Sequence, residues 1–254
     1  MKKIGMIGGL AWPSTVDYYR GLCAKTNEHH KAKGAAPPYP TPHMIIESLN
    51  ISETRKLRGR EGDDASWERY ESAFREAFVR LREAGAELGV IASNTPHMRL
   101  RGITKGLDFP VVSILDATAE AVRAQGGKRA LVLGTPVTMR SMVYPNTLRQ
   151  YGIEALPRLD EERILGLERL IIELEQFDDV DLHRGEIADA RRQILSLCRE
   201  SAIDRRNDVV CLACTELPLA FPEYRESACF EIDGMWFVNT TVVHIEAVLR
   251  EAFV

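Results

Sequence analysis

The chain has 254 residues, 45% hydrophobic and 28% charged, with Lys+Arg 33 against Asp+Glu 37 for a net charge of −4. That length supports one large α/β domain or two smaller ones with their own cores, and the acidic balance leaves no surplus cations for a phosphate backbone, which excludes a general nucleic-acid binder. The apolar run after Met1-Lys2-Lys3 is too short for a signal peptide, no stretch of about 18 apolar residues suits a membrane span, and the five cysteines read as reduced thiols, so a cytoplasmic soluble protein is expected.

Strand and helix signals alternate along the chain. Lys3–Ile7 is an apolar strand ending at Gly8-Gly9, and Ser14–Lys25 reads as a helix capped by Ser14 or Thr15. His43–Leu49 suggests a strand. Ala65–Ala84 carries Trp67, Tyr70, Phe74, Phe78 and Leu81 at helical spacing and feeds the strand Leu88–Ala92. Val111–Leu115 reads as a strand and Thr118–Ala124 as a helix. The second half repeats the rhythm: strand Ala130–Leu133, a helix near Val137–Tyr151, helices Leu159–Phe177 and Gly185–Glu200, and strand Val209–Leu212. A last strand, Cys229–Ile232 or Trp236–Val238, precedes a closing helix Thr241–Phe253. Helices between apolar strands imply parallel sheets with right-handed crossovers. Lys31–Pro42, with four prolines, and the charged Arg55–Asp64 read as loops, the latter a solvated surface or a lid carrying an anion-binding arginine.

The two halves resemble each other. "IGMIGGLAWPST" matches "ALVLGTPVTMRS", "GVIASNTPH" matches "VVCLACTELP", and "VSILDATAEAV" matches "FVNTTVVHIEAV". The offsets are nearly constant: 126 residues from Gly8 to Gly134, 121 from Ser93 to Cys214 and 123 from Asp116 to Asn239. The expected fold is therefore α/β with two pseudo-symmetric domains, each a parallel sheet flanked by helices. The expected division is 1–115 plus 239–254 against 116–238, the last helix returning to the first half.

Ligands in open α/β sheets bind beyond the carboxyl ends of the strands, which is where Ser93 and Cys214 fall. An active site in the cleft between the domains would set them on opposite sides. Amides at Ser93-Asn94-Thr95 and Cys214-Thr215-Glu216 could hold a carboxylate. A helix start at Cys214 would lower its thiol pKa below about 8.5 and make it a usable base. Cys211-x-x-Cys214 lacks a second ligand pair for metal, so Cys211 reads as packing, as do Cys23, Cys198 and Cys229. His29, His30 and His43 sit in or beside the proline-rich loop and read as non-ligands. Gly5-x-x-Gly8-Gly9 does not complete a dinucleotide fingerprint, and neither metal nor organic cofactor is implied.

At these residues the sequence resembles the aspartate/glutamate racemase family, a cofactor-independent group. The resemblance runs through Gly5-Met6-Ile7-Gly8-Gly9 with Ser14-Thr15 and Tyr18-Tyr19, Asn94-Thr95 with His97, Leu133-Gly134-Thr135, Cys214-Thr215-Glu216-Leu217 and Thr240–His244. It implies two-base chemistry on a small amino acid or dicarboxylate, with Cys214 on one face and Ser93 in the opposite position. It also implies a homodimer. Asn94, Thr95, Thr135 and Thr215 would bind the substrate, with Arg58 (or Arg55) and Arg163 for a side-chain carboxylate. Trp12 would wall the pocket or pack in the core. Three positions depart from the family pattern: Ser93 replaces a cysteine or threonine, Ala11 a serine, and Asn239 an aspartate. The serine is a weak acid and a poor base. A single-cysteine decarboxylase or isomerase of a dicarboxylate, and a catalytically weakened binder of an acidic metabolite, are therefore the alternative readings.

Overall fold

Apolar strands flanked by amphipathic helices build one parallel sheet and one parallel sheet with an antiparallel edge strand in this computed structural model, which describes residues 1–60, 62–176, 182–201, 203–204 and 207–254. Tertiary contacts divide the chain into a first unit, Met1–Ser113 with His244–Val254, and a second, Ile114–Val243.

The first unit contains β1 (Ile4–Gly8), α1 (Trp12–Ala32), β2 (Met44–Ser48), α2 (Ile51–Lys56), α3 (Glu68–Glu83), β3 (Leu88–Ile91) and the short α4 (Leu100–Ile103). Its sheet order is β2-β1-β3, all parallel, and Val111 adds a single parallel bridge to Gly89. Both faces of β1 are buried, as a central parallel strand requires. Tyr18 and Leu22 of α1 cover one face together with Ile245, Val248 and Leu249. The aromatic stripe expected in Ala65–Ala84 is buried throughout, with Trp67 in the 3-10 turn that leads into α3.

The second unit contains α5 (Ile114–Ala124), β4 (Arg129–Gly134), α6 (Pro136–Arg140), α7 (Val143–Gln150), β5 (Glu154–Ala155), α8 (Glu161–Leu174), α9 (Arg184–Glu200), β6 (Asp208–Ala213), β7 (Cys229–Ile232) and β8 (Met235–Asn239). The sheet order is β5-β4-β6-β8-β7. Alternation along β4 sends Leu131 and Leu133 to a core shared with α8 and α9, and Val132 to a smaller one with Ile114, Leu115 and Tyr144. The order β2-β1-β3 plus Val111 matches β5-β4-β6-β8, so the sequence repeat is a repeat of topology. The chain leaves the second unit within α10 (Thr240–Ala252). No helix among the described residues is long and apolar enough to cross a membrane.

Several local expectations are corrected. α1 begins at Trp12 and runs to Ala32, so Ser14 and Thr15 lie inside it and His29 and His30 form its last turn rather than a loop. The N-cap is Ala11, with no side-chain bond. Within 55–64, the segment read as a loop, Arg55 and Lys56 finish α2, whose Asn50 cap accepts the Ser52 amide; Glu61 lies outside the described residues. Of Val111–Leu115 only Val111 bridges, because the apolar Ile114 and Leu115 are the buried first turn of α5. The helix expected over Val137–Tyr151 breaks at Ser141, which is extended and caps α6 through the Thr138 carbonyl. The expected helix Leu159–Phe177 is α8; Phe177 lies outside the described residues. Both candidate late strands form, as an antiparallel hairpin around Asp233-Gly234, whose positive φ values of 53° and 76° suit a two-residue turn.

Candidate active site

In the first unit the carboxyl ends of β1 and β3 carry the two motifs. Gly9 has φ +75°, and a Cβ there would meet the Leu49 carbonyl at 2.1 Å, so no other residue fits the turn. The Gly9 amide donates to Thr15 Oγ1 at 2.8 Å. Thr15 thus holds the glycine turn instead of capping the helix. Trp12 is 64% exposed, so core packing does not explain it.

Ser93 comes after β3 and its amide donates to the Ile91 carbonyl at 2.8 Å. That amide is therefore already used and does not contribute to the anion site expected there. Asn94 and Thr95 are buried, and Thr95 opens a 3-10 turn, Thr95–Arg99. His97 in that turn places Nδ1 2.8 Å from the Ser93 carbonyl. A carbonyl only accepts, so His97 Nδ1 carries a proton and pins the Ser93 peptide. Beside it lies His244, whose Nε2 is 3.1 Å from the Val112 carbonyl and whose Nδ1 is 2.7 Å from Tyr18 Oη. The same logic makes His244 Nε2 the donor to Val112 and Tyr18 the donor to Nδ1. The rings of His97 and His244 meet edge to face at 5.2 Å. Burial, then the neighbouring His97, pushes the His244 pKa well below its usual value. In the sequence, His97 and the segment ending at His244 are only motif letters; their joint role depends on a contact between residues 147 apart in the chain.

Arg58 is half-buried and hydrogen-bonds Tyr70, while its Nε is buried without a partner. Arg55, the other candidate, is exposed on the last turn of α2.

In the second unit β4 ends at Gly134, where a Cβ would meet the Ala213 carbonyl at 2.6 Å, so the strand ends approach closely. Thr135 caps α6 and lies 3.0 Å from the Thr138 hydroxyl. Cys214 comes directly after β6 and is 6% exposed. Its thiol donates to Glu216 Oε2 at 2.8 Å, and the Thr215 hydroxyl donates to Glu216 Oε1 at 2.9 Å. The chain then enters a 3-10 turn, Leu217–Ala220, not the helix expected to lower the thiol pKa. The shift is upward: burial raises the Cys214 pKa well above its ordinary value, and the Glu216 charge and hydrogen bond add to it. The Glu216 backbone amide acts in the opposite direction. Glu216 carries no assigned role on sequence grounds, although it stands in the quoted motif.

Asn239 ends β8, and its Oδ1 accepts the amides of Thr241 and Val242. It caps α10 as an aspartate would, so this departure from the family pattern keeps its structural function.

Arg163 does not reach Cys214. It lies in the first turn of α8 and pairs with Asp160 at 3.4 Å and Glu200 at 2.9 Å. Glu175, whose charge acts on the Cys214 thiol, is 12 residues further along, about 18 Å at 1.5 Å per residue. Arg163 therefore sits at the far end of that helix, already neutralised.

The family described as Asp/Glu/hydantoin racemase matches residues 7–248. The chain is similar to the broad specificity amino-acid racemase RacX of Bacillus subtilis, 24% identical over 221 residues covering 84% of this chain and 85% of that protein. Among solved structures it resembles an aspartate racemase homologue from Pyrococcus horikoshii, with 28% identity, TM-score 0.71 and full coverage of both chains. Its fold also matches the Picrophilus torridus aspartate racemase, with 20% identity, TM-score 0.70 and coverage of 100% of this chain and 95% of that one. The chain belongs to the Asp/Glu/hydantoin racemase family.

Proposed function

We propose that the protein interconverts the enantiomers of an amino acid without pyridoxal phosphate, with Cys214 working on one face of the α-carbon and Ser93 on the other. The observation that carries this reading is the Cys214 thiol donating to the Glu216 carboxylate at the end of β6, the repeat counterpart of Ser93 after β3. A buried thiol with a raised pKa is a weak base until its proton leaves, and Glu216 is positioned to take it. The thiolate then removes the α-proton, and the electron pair left on carbon delocalises into the α-carboxylate. Asn94, Thr95, Thr135 and Thr215 offer the amide and hydroxyl groups that hold this carboxylate.

The second proton arrives at the opposite face from the Ser93 hydroxyl, which recovers its own from solvent while Glu216 releases one. The reading requires the two half-sites to face one substrate carbon. Serine is the poorer acid, so protonation on its side limits turnover. Arg58, with an unpartnered Nε, is the cation proposed for a substrate side-chain carboxylate. Arg163 is not proposed for that task. The protein is further proposed to act inside the cell as a homodimer.

The test is α-proton exchange in heavy water, followed by NMR over both enantiomers of aspartate, glutamate and a panel of neutral and basic amino acids. Exchange with inversion in the native protein, lost in Cys214→Ala, is expected, and Ser93→Cys should speed inversion. Exchange from one enantiomer without inversion would remove Ser93 as the second acid. Absence of exchange in both the native protein and Ser93→Cys would overturn the racemase reading, and dicarboxylate decarboxylation would be assayed next.

A further inference from the structure

We propose that the second unit carries another ligand site, at the open edge of its sheet, that takes a small organic anion. The site originates in the strand register. β5 pairs only with Arg129 and Ala130, although β4 continues to Gly134. The Leu156 amide makes one further bond to the Ala130 carbonyl, and the next residue, Pro157, has no N–H to extend the ladder. The edge of β4 beyond Ala130 is therefore left without a neighbouring strand. The helix that would cover it is broken at Ser141, where α6 stops before α7 begins.

The result is a cavity of about 740 Å³, within the range of roughly 300–1,000 Å³ that small-molecule sites occupy. Its apolar wall includes Val132, Met139 and Tyr144. Arg140, Arg149 and Arg158 also line it, against one carboxylate, Glu154. Arg140 is paired with Glu161. Arg149 reaches only the neutral Asn146 side chain, at 3.3 Å, and Arg158 makes no ion pair among the described residues. Two guanidinium groups without a carboxylate partner among the described residues, beside a largely aliphatic wall, select an anionic head on an apolar body, because the guanidinium fork matches carboxylate, sulfonate or phosphate oxygens. Thr135, Cys214, Thr215 and Glu216 do not line this cavity; its wall residue Thr138 lies 3.0 Å from Thr135 and Tyr144 feels the charge of Cys214, so the cavity adjoins the catalytic half-site of the same unit without sharing its residues.

The probe is 1-anilinonaphthalene-8-sulfonate, titrated by fluorescence into the full-length protein at low and high salt. The expected result is one saturable site that weakens with salt, loses about tenfold or more in affinity in the exposed double variant Arg149→Ala with Arg158→Ala, and is unchanged in Cys214→Ala. The double variant should keep native α-proton exchange. Undiminished binding in the double variant, binding indifferent to salt, or loss in Cys214→Ala would each overturn the proposal. Because the readout is binding and not turnover, it stands or falls independently of the racemase reading.

Discussion

The Cys214 thiol donates to Glu216 Oε2 across 2.8 Å, so the residue proposed as base rests with its proton on and an acceptor already in contact. Replacing Glu216 with glutamine removes the charge and the carboxylate hydrogen bond that both raise the thiol pKa, leaving burial and the Glu175 charge as the remaining causes that raise it. The Cys214 thiolate should therefore form at lower pH in Glu216→Gln than in the native protein. Exchange should nevertheless fall by about 100-fold, the usual scale for loss of a general base. Thiolate absorbance against pH, with Cys214→Ala as the blank, reads the first effect, and proton exchange the second. A thiol titration that moved upward or stayed put would show that Glu216 does not govern Cys214.

Buried thiols also set an alkaline limit on stability. Burial pushes Cys198 up to about 12 and also raises Cys211 and Cys214 above the range of an exposed thiol. Each stays protonated when folded but ionises in the unfolded chain above roughly pH 8.5. The unfolded state then binds fewer protons than the folded one, so stability falls as pH rises, by about 1.4 kcal/mol per pH unit for each thiol. Urea midpoints should drop steadily above about pH 9, and Cys198→Ala should flatten the slope by about one thiol's share whatever its effect on the midpoint itself.

Much of this architecture can be read from the sequence because parallel strands buried on both faces must be continuous apolar runs. β1, β3, β4 and β6 are visible for that reason. β5 is not, because two residues at an edge carry no period. α1 looks too short because the polar run after Lys25 hides the buried Thr26. At the candidate site, the repeat pairs Ser93 with Cys214, and the helix start expected at Cys214 misleads about the environment of its thiol, since a 3-10 turn follows instead. A thiol pKa depends on which groups surround the sulfur, and the carboxylate two residues on is one of them. Arg163 shows the complementary limit: its helix is legible, but which end of that helix approaches Cys214 depends on tertiary packing.

His244 sets the acid limit. It is fully buried against Tyr18 and His97, and its pKa is depressed well below 6.5. Below about pH 6.5 the unfolded chain takes up a proton there that the folded chain does not, so the stability this group contributes is present above that pH and is lost as pH falls. The loss approaches about 1.4 kcal/mol per pH unit until the folded pKa is reached. Urea midpoints measured from about pH 7 down to 5 should show this decline, with a shallower one in His244→Gln. An equal slope in the variant would assign the acid sensitivity elsewhere.

Ala11 occupies an N-cap position it cannot serve. Its backbone is extended, with φ −151° and ψ 118°, as an N-cap should be, but it has no side-chain acceptor for the first amides of α1. A serine there can offer its oxygen to the Ser14 amide three residues on, Pro13 having no N–H to give, without disturbing the turn, because Gly8 and Gly9 already set the approach of the chain. Ala11→Ser should stabilise the protein by about 1 kcal/mol and raise Tm by roughly 2–4 °C for a chain of this size. Calorimetry at neutral pH reads the shift. If Tm instead fell, the added hydroxyl would be desolvated without a partner and the cap geometry assigned to Ala11 would be wrong. Activity gives a second reading of the same change. A cap that only stabilises α1 leaves the exchange rate unchanged, whereas a hydroxyl reaching the substrate beyond Gly9 would alter KM.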